Sequence, residues 1–169
     1  MEAKGAAFVP IAVLATAGDQ LLKLHATSTV SVGAREPLIG NVLSVTHVPS
    51  MGGAFGFFGS WLPDAQLVGF ATLALCAATV ILFMDRGLAP GERGTAAGLG
   101  AMLGGIAGHA IDRLRYGSGL DIIHLGPAES NAVPDFSLAD VAIVLGLVTL
   151  IVELLATELA TRAAERPRR

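Results

Sequence analysis

Two acidic residues in apolar surroundings, Asp121 and Asp140, carry the chemistry that this sequence could perform. Asp121 lies in the run Leu120-Asp121-Ile122-Ile123, and Asp140 closes Phe136-Ser137-Leu138-Ala139-Asp140. Two carboxylates that share a site cannot both ionise cheaply, so one keeps its proton. One acid then takes a proton from water while the other gives one to a leaving group, as in aspartic proteases. Spacing alone also admits structural or transport roles for the two acids.

The other ionisable groups in apolar stretches are Asp19, Lys23, Asp112, Arg113 and Glu153. Charged groups at membrane depth are expensive and are usually functional or paired. Asp19 and Lys23 are four residues apart, the favourable acid-before-base order on a helix. They fit an ion pair at a helix end, with Lys23 snorkelling to the interface, or a role at the substrate. Asp112 and Arg113 are neighbours, so they project in different directions and need other partners. Asp112 fits a role in bridging helices.

Several chemistries have no support. The four histidines, His25, His47, His109 and His124, have no trustworthy metal-ligand spacing to one another, to Cys76 or to a nearby acid. His109 reads as a polar packing residue on a helix. Cys76 is the single cysteine, so no intramolecular disulfide or CxxC site exists; in its apolar run it reads as a packing residue. There is no GxSxG, HExxH, phosphate-loop or dinucleotide fingerprint. A net charge of −3 and the lack of a basic tract interleaved with aromatics speak against a nucleic-acid partner.

These acids need elements to position them. Of the 169 residues, 53% are hydrophobic and 15% charged, with a mean hydropathy of +0.65; a soluble domain carries about 25% charged residues. Lipid is the expected solvent, and the length fits one integral membrane domain over residues 1–169. A spanning helix needs roughly 20 mostly apolar residues. Four segments qualify: about Ala6–Leu24, Ala65–Met84, Thr95–Leu114 and Leu138–Ala156. Lys4 ahead of an apolar stretch is similar to a signal peptide. Asp19 and Lys23 interrupt that stretch and no cleavage site follows, so it reads as a retained first helix. Between the first two helices, about residues 25–64, Val42 to Val48 alternates like a strand and the glycine-rich Gly52–Gly59 follows. A small β-structure on the membrane surface is expected there. A second loop covers about residues 115–137.

Gly100, Gly104 and Gly108 share one helix stripe, and small residues at that spacing let backbones approach closely in lipid. Packing alone explains them, and Asp112 continues the stripe by one turn towards a neighbouring helix. With both termini cytoplasmic, seven of the eleven Lys and Arg residues fall inside and Lys23, Arg35, Arg113 and Arg115 outside. Both larger loops, with Asp19, Asp112, Asp121 and Asp140, then lie at the outer face.

Five motifs in order resemble the lipoprotein signal peptidases, or signal peptidase II family. Asp19 to Lys23 is similar to that family's DxxxK; Ser50-Met51-Gly52-Gly53-Ala54-Phe55 to its NxGAAF loop; Gly104 to Arg113 to its GGxxGNxxDR. Leu120-Asp121-Ile122-Ile123 resembles its VVDFI block, and Phe136 to Asp140 its FNxAD block. The resemblance covers nearly the whole chain. It implies an all-α membrane protein with four transmembrane helices and a small extracytoplasmic β-cradle between the first and second. It implies a bacterial cytoplasmic (inner) membrane enzyme, multi-pass and monomeric, with its active site near the extracytoplasmic face. The implied reaction is aspartyl endopeptidase cleavage of signal peptides from diacylglyceryl-modified prolipoproteins, without metal or organic cofactor. Asp121 and Asp140 are then the catalytic dyad. Asp19, Lys23, Ser50, Gly52, Phe55, His109, Asp112, Arg113 and Ser137 bind substrate or support the dyad, with Gly52–Gly59 as an apolar cradle or lid.

The departures from the family are systematic. Ser50, His109 and Ser137 stand where the family has asparagines that orient the dyad and the substrate backbone. A serine hydroxyl does not reproduce an amide's paired donor and acceptor, and histidine is bulkier and can charge. The site is then retuned for another substrate, or less active. A catalytically silent relative that binds lipoproteins, or an inhibitor of the true peptidase, is the alternative, and a small ion transporter a third reading.

Overall fold

Each apolar segment becomes a helix longer than its hydropathy suggests. The computed structural model describes residues 7–50, 62–127, 129–130 and 133–164. Among them are α1 (Phe8–Thr29), β1 (Arg35–Ile39), β2 (Leu43–Ser50), α2 (Pro63–Gly87), α3 (Arg93–Tyr116), β3 (Gly119–Leu125) and α4 (Leu138–Ala164). Helix α1 continues past Leu24 through polar residues whose hydroxyls are satisfied by carbonyls within the helix. Ser28 and Thr29 donate to the His25 carbonyl at 2.7 and 2.9 Å. Helix α2 opens on Pro63, whose missing N–H costs nothing in the first turn. Helix α3 ends at Gly117, in the left-handed region at φ 72°, whose N–H caps the Arg113 carbonyl. That reversal sends the chain directly into β3.

Among the described residues, only α2 and α4, over Asp64–Gly87 and Leu138–Ala164, are by composition long and apolar enough to cross a membrane. Asp19 and Lys23 dilute α1, and six glycines dilute α3. Leu73, Leu75, Val80 and Phe83 of α2 and Val144, Leu145, Ile151 and Leu154 of α4 are exposed. Cys76 is exposed as well, which corrects the expectation of a packing role: it lies on the outward surface of α2.

Helix α3 is central, packing most extensively against α4 and α1. Its glycines make this possible on two faces. A Cβ on Gly104 would stand 2.6 Å from the Ala12 carbonyl oxygen and 2.7 Å from Ala15 Cβ. Gly100 meets the Phe8 backbone in the same way, so the expected stripe faces α1. Towards α4, a Cβ on Gly98 would stand 2.9 Å from the Gly146 carbonyl oxygen. Real Cβ atoms do not fit at these distances. Gly104→Ala is therefore expected to lower the thermal midpoint in detergent, since overpacking costs about 1–3 kcal/mol. An unchanged midpoint would show that the helices separate freely.

The strands form one antiparallel sheet in the order β1-β2-β3. Leu43 pairs with Leu125 and Val48 with Asp121, with a bulge between Val45 and Val48. The expected β-structure after the first helix is present, but its third strand is contributed by the connection between α3 and α4. The run carrying Asp121 is thus a strand rather than a loop. Its Leu120 and Ile122 bury against Ala26 of α1, which gives the strand an apolar anchor that polar neighbours conceal in the sequence.

Candidate active site

The deepest charges form one cluster that joins three helices. Asp19, Lys23 and Asp112 are completely buried. Lys23 Nζ donates to Asp19 Oδ2 at 2.7 Å and to Asp112 Oδ2 at 2.6 Å. Gln20 Nε2 donates to Asp112 Oδ1 at 2.9 Å, and Asp19 Oδ1 accepts the Ala139 N–H at 2.9 Å. That carboxylate therefore sits at the N-terminus of α4, where a negative charge is favoured. Gly108 provides the room, because a Cβ there would stand 2.7 Å from Asp19 Oδ2. Lys23 does not snorkel, contrary to expectation. Two carboxylates, one from its own helix and one from α3, hold its ammonium inside.

Asp140 lies in the first turn of α4. Its Oδ2 accepts from the Ser137 N–H at 2.8 Å and from Ser137 Oγ at 2.7 Å. The Asp140 N–H in turn points to Ser137 Oγ at 3.4 Å. This is a reciprocal capping box, legible in the sequence as Ser137-x-x-Asp140 and overlooked when only the acids are counted. Ser137 is fully buried. Asp140 Oδ1 faces His109 Nε2 at 2.9 Å. His109 is thus the neighbour of Asp140 rather than a packing residue, while its Nδ1 stands 3.9 Å from Asp112.

Asp121 reaches the same region through the backbone. Phe136 accepts the N–H groups of Ile122 and Ile123 at 3.0 and 2.9 Å and donates to the Ile123 carbonyl at 3.0 Å. The residue after Asp121 and the segment just before Asp140 are therefore stitched together. Arg113 is close enough to feel the charges of Asp112, Asp121 and Asp140. Its guanidinium stacks 3.5 Å from the Phe70 ring centroid, a cation–π contact that fixes its plane, and its Nη1 donates to the His109 carbonyl at 3.4 Å.

The remaining expected residues are Ser50, Gly52 and Phe55. The backbone of Ser50 closes β2 opposite Gly119. Gly52 and Phe55, with the rest of the expected cradle, lie outside the described residues. Glu153 is far along α4 and touches Gly94 at the start of α3. Among the described residues, no group of three or more His, Cys, Asp or Glu side chains could hold a metal.

A family model described as signal peptidase (SPase) II matches residues 11–156. The chain belongs to the signal peptidase II family. Proteins named lipoprotein signal peptidase are similar to it along most of its length. That of Moorella thermoacetica is 34% identical, over 88% of this chain and 92% of its own. That of Methylobacterium sp. is 35% identical, over 88% of each. That of Gloeobacter violaceus is 32% identical, over 99% of this chain and 92% of its own. A solved structure described as a bacterial membrane enzyme superposes with a TM-score of 0.78 at 20% identity, over 95% of this chain and 92% of that one. A second one gives 0.75 over 87% and 91%. All five signal peptidase II motifs fall inside the matched span.

Proposed function

We propose that this signal peptidase II family member is an aspartic endopeptidase that removes signal peptides from diacylglyceryl-modified prolipoproteins, with Asp121 and Asp140 as its dyad. The observation that carries this reading is the backbone pairing of Phe136 with Ile122 and Ile123, which sets the segment leading to Asp140 beside the residue that follows Asp121. One carboxylate takes a proton from water, and the hydroxide adds to the scissile carbonyl. The other acid protonates the amide nitrogen as the C–N bond breaks. The pair titrates as a unit. Arg113, held flat on Phe70, balances the two acids and faces the substrate carbonyls. His109 and Ser137 hold Asp140, while Asp19, Lys23 and Asp112 form the plug beneath. Ser50, Gly52 and Phe55 belong to the substrate cradle.

The same reading places all four helices across the bacterial cytoplasmic (inner) membrane in a single domain of residues 1–169. The internal ion cluster pairs the charges of α1 and α3 within the bundle, and the exposed apolar residues of α1, α2 and α4 meet lipid. Both termini are cytoplasmic and the sheet lies on the extracytoplasmic side, since seven of eleven basic residues then fall inside. The enzyme acts as a monomer.

The test is cleavage of a diacylglyceryl-modified prolipoprotein by the purified full chain. Cleavage just before the modified cysteine is expected, and none of the unmodified precursor. Ser50→Asn, His109→Asn and Ser137→Asn are measured in parallel. Binding without turnover, in the wild type and in all three, would identify a silent lipoprotein-binding relative instead.

A further inference from the structure

A second charged cluster is buried away from the acids of the dyad. His124 on β3 has no exposed surface. Its Nδ1 lies 2.6 Å from Asp135 Oδ1 and its Nε2 3.0 Å from the Pro127 carbonyl oxygen. Arg35 of β1 reaches the same carboxylate, with Nη2 3.1 Å from Oδ2, and donates from Nη1 to the Ser130 carbonyl at 3.2 Å. The Asp135 side chain is 7% exposed and that of Arg35 21%.

The partners decide what the ring does. A carboxylate paired with a guanidinium accepts hydrogen bonds, and a carbonyl oxygen can only accept. Both ring nitrogens of His124 thus face oxygen acceptors, one on Asp135 and one on the Pro127 carbonyl. Ser44, its register partner on β2, is neutral. Apolar residues would hold these segments at less cost in desolvation. What the charges add is direction, because each contact is a hydrogen bond with a fixed angle.

The location shows which geometry is fixed. His124 follows Asp121 by three residues on the same strand. Asp135 precedes Phe136, whose backbone is bonded to Ile122 and Ile123, and Ser137 caps Asp140 immediately afterwards. The cluster thus ties together the two stretches of chain that bear the acids, and fastens both to β1. We propose that Arg35, Asp135 and His124 form a charged clamp that positions Asp140 against Asp121 and so governs turnover. The proposal rests on the peptidase reading above. The three are positioning residues and touch no substrate.

The experiment uses the full chain in detergent micelles with a diacylglyceryl-modified prolipoprotein. The variants are His124→Gln, Asp135→Asn, the double variant of these, Arg35→Met and Arg35→Lys. A misplacement of about 1 Å costs on the order of 100-fold in rate. A fall of about 10- to 100-fold in kcat is therefore expected for His124→Gln, Asp135→Asn and Arg35→Met, with KM little changed. The double variant is expected to be no worse than the poorer single one, since both remove one contact. Arg35→Lys keeps a cation beside Asp135 and should retain most of the turnover, which keeps the test open if another variant folds poorly. Hydrogen exchange at the Ile122, Ile123 and Phe136 amides should quicken in Asp135→Asn. Wild-type kcat in the single variants, or losses that fall on KM alone, overturns the clamp. If the wild type itself cleaves nothing, the peptidase reading falls; unchanged exchange at those three amides would separately overturn the clamp.

Discussion

Asp140→Asn and Asp121→Asn each lower prolipoprotein cleavage by about 10²- to 10⁴-fold, the usual contribution of a positioned acid or base. The substitution separates chemistry from folding. An asparagine at 140 retains an oxygen that can accept the Ser137 N–H, now bonded at 2.8 Å, so the start of α4 stays capped. At 121 the strand is held by its backbone register with β2 and by Leu120 and Ile122 in the core, neither of which needs the carboxylate. Thermal midpoints close to wild type are therefore expected beside the lost rate. In the proposed dyad the acids act as one unit, so the double variant should be hardly slower than either single one. Initial rates with saturating lipid-modified substrate provide the measurement. Wild-type cleavage by either variant would remove that residue from the mechanism.

Lys23→Met is the second large effect, and it falls on stability. The ammonium contacts both Asp19 and Asp112, at 2.7 and 2.6 Å. Without it, two buried carboxylates face each other through Gln20. Breaking a buried pair by removing one partner costs about 3–5 kcal/mol, mainly through the charge left behind. Adding Asp112→Asn removes part of that charge. Lys23→Met/Asp112→Asn should therefore be more stable than Lys23→Met alone, the opposite of additive damage. Thermal unfolding in detergent decides between them. If Lys23→Met melts like the wild type, the cluster contributes direction but little stability.

Much of this organisation was legible in the residues. Four helices follow from four apolar runs, and the stripe of Gly100, Gly104 and Gly108 announces a close helix contact that ends at Asp112. The i,i+4 pair of Asp19 and Lys23 is visible as well. Its depth is not, because burial of Lys23 depends on Asp112 arriving from a helix about ninety residues away, beyond any local pattern. Strand β3 was hidden for a similar reason: its pairing with β2 is long-range, and Asp121 and His124 interrupt its apolar run. His109 looked like a packing residue because Asp140 is thirty-one positions distant. The clamp joins Arg35 to Asp135 across one hundred positions, so no spacing rule could have found it. The Ser137 capping box, by contrast, is a local signal, written in Ser137-x-x-Asp140.

The glycine contacts of α3 have a bearing on how this protein has changed over time. At Gly98, Gly100 and Gly104 the neighbouring helix is met by main-chain carbonyl oxygens. Main-chain atoms are the same in every sequence. Such a joint constrains the glycines, with Gly146 opposite Gly98 under the same limit, and leaves positions met only through their backbone, such as Phe8 and Ala12, freer to drift. Relatives can then replace most of their side chains and still assemble the helices at the same separation. A TM-score of 0.78 at 20% identity is the outcome such a joint permits.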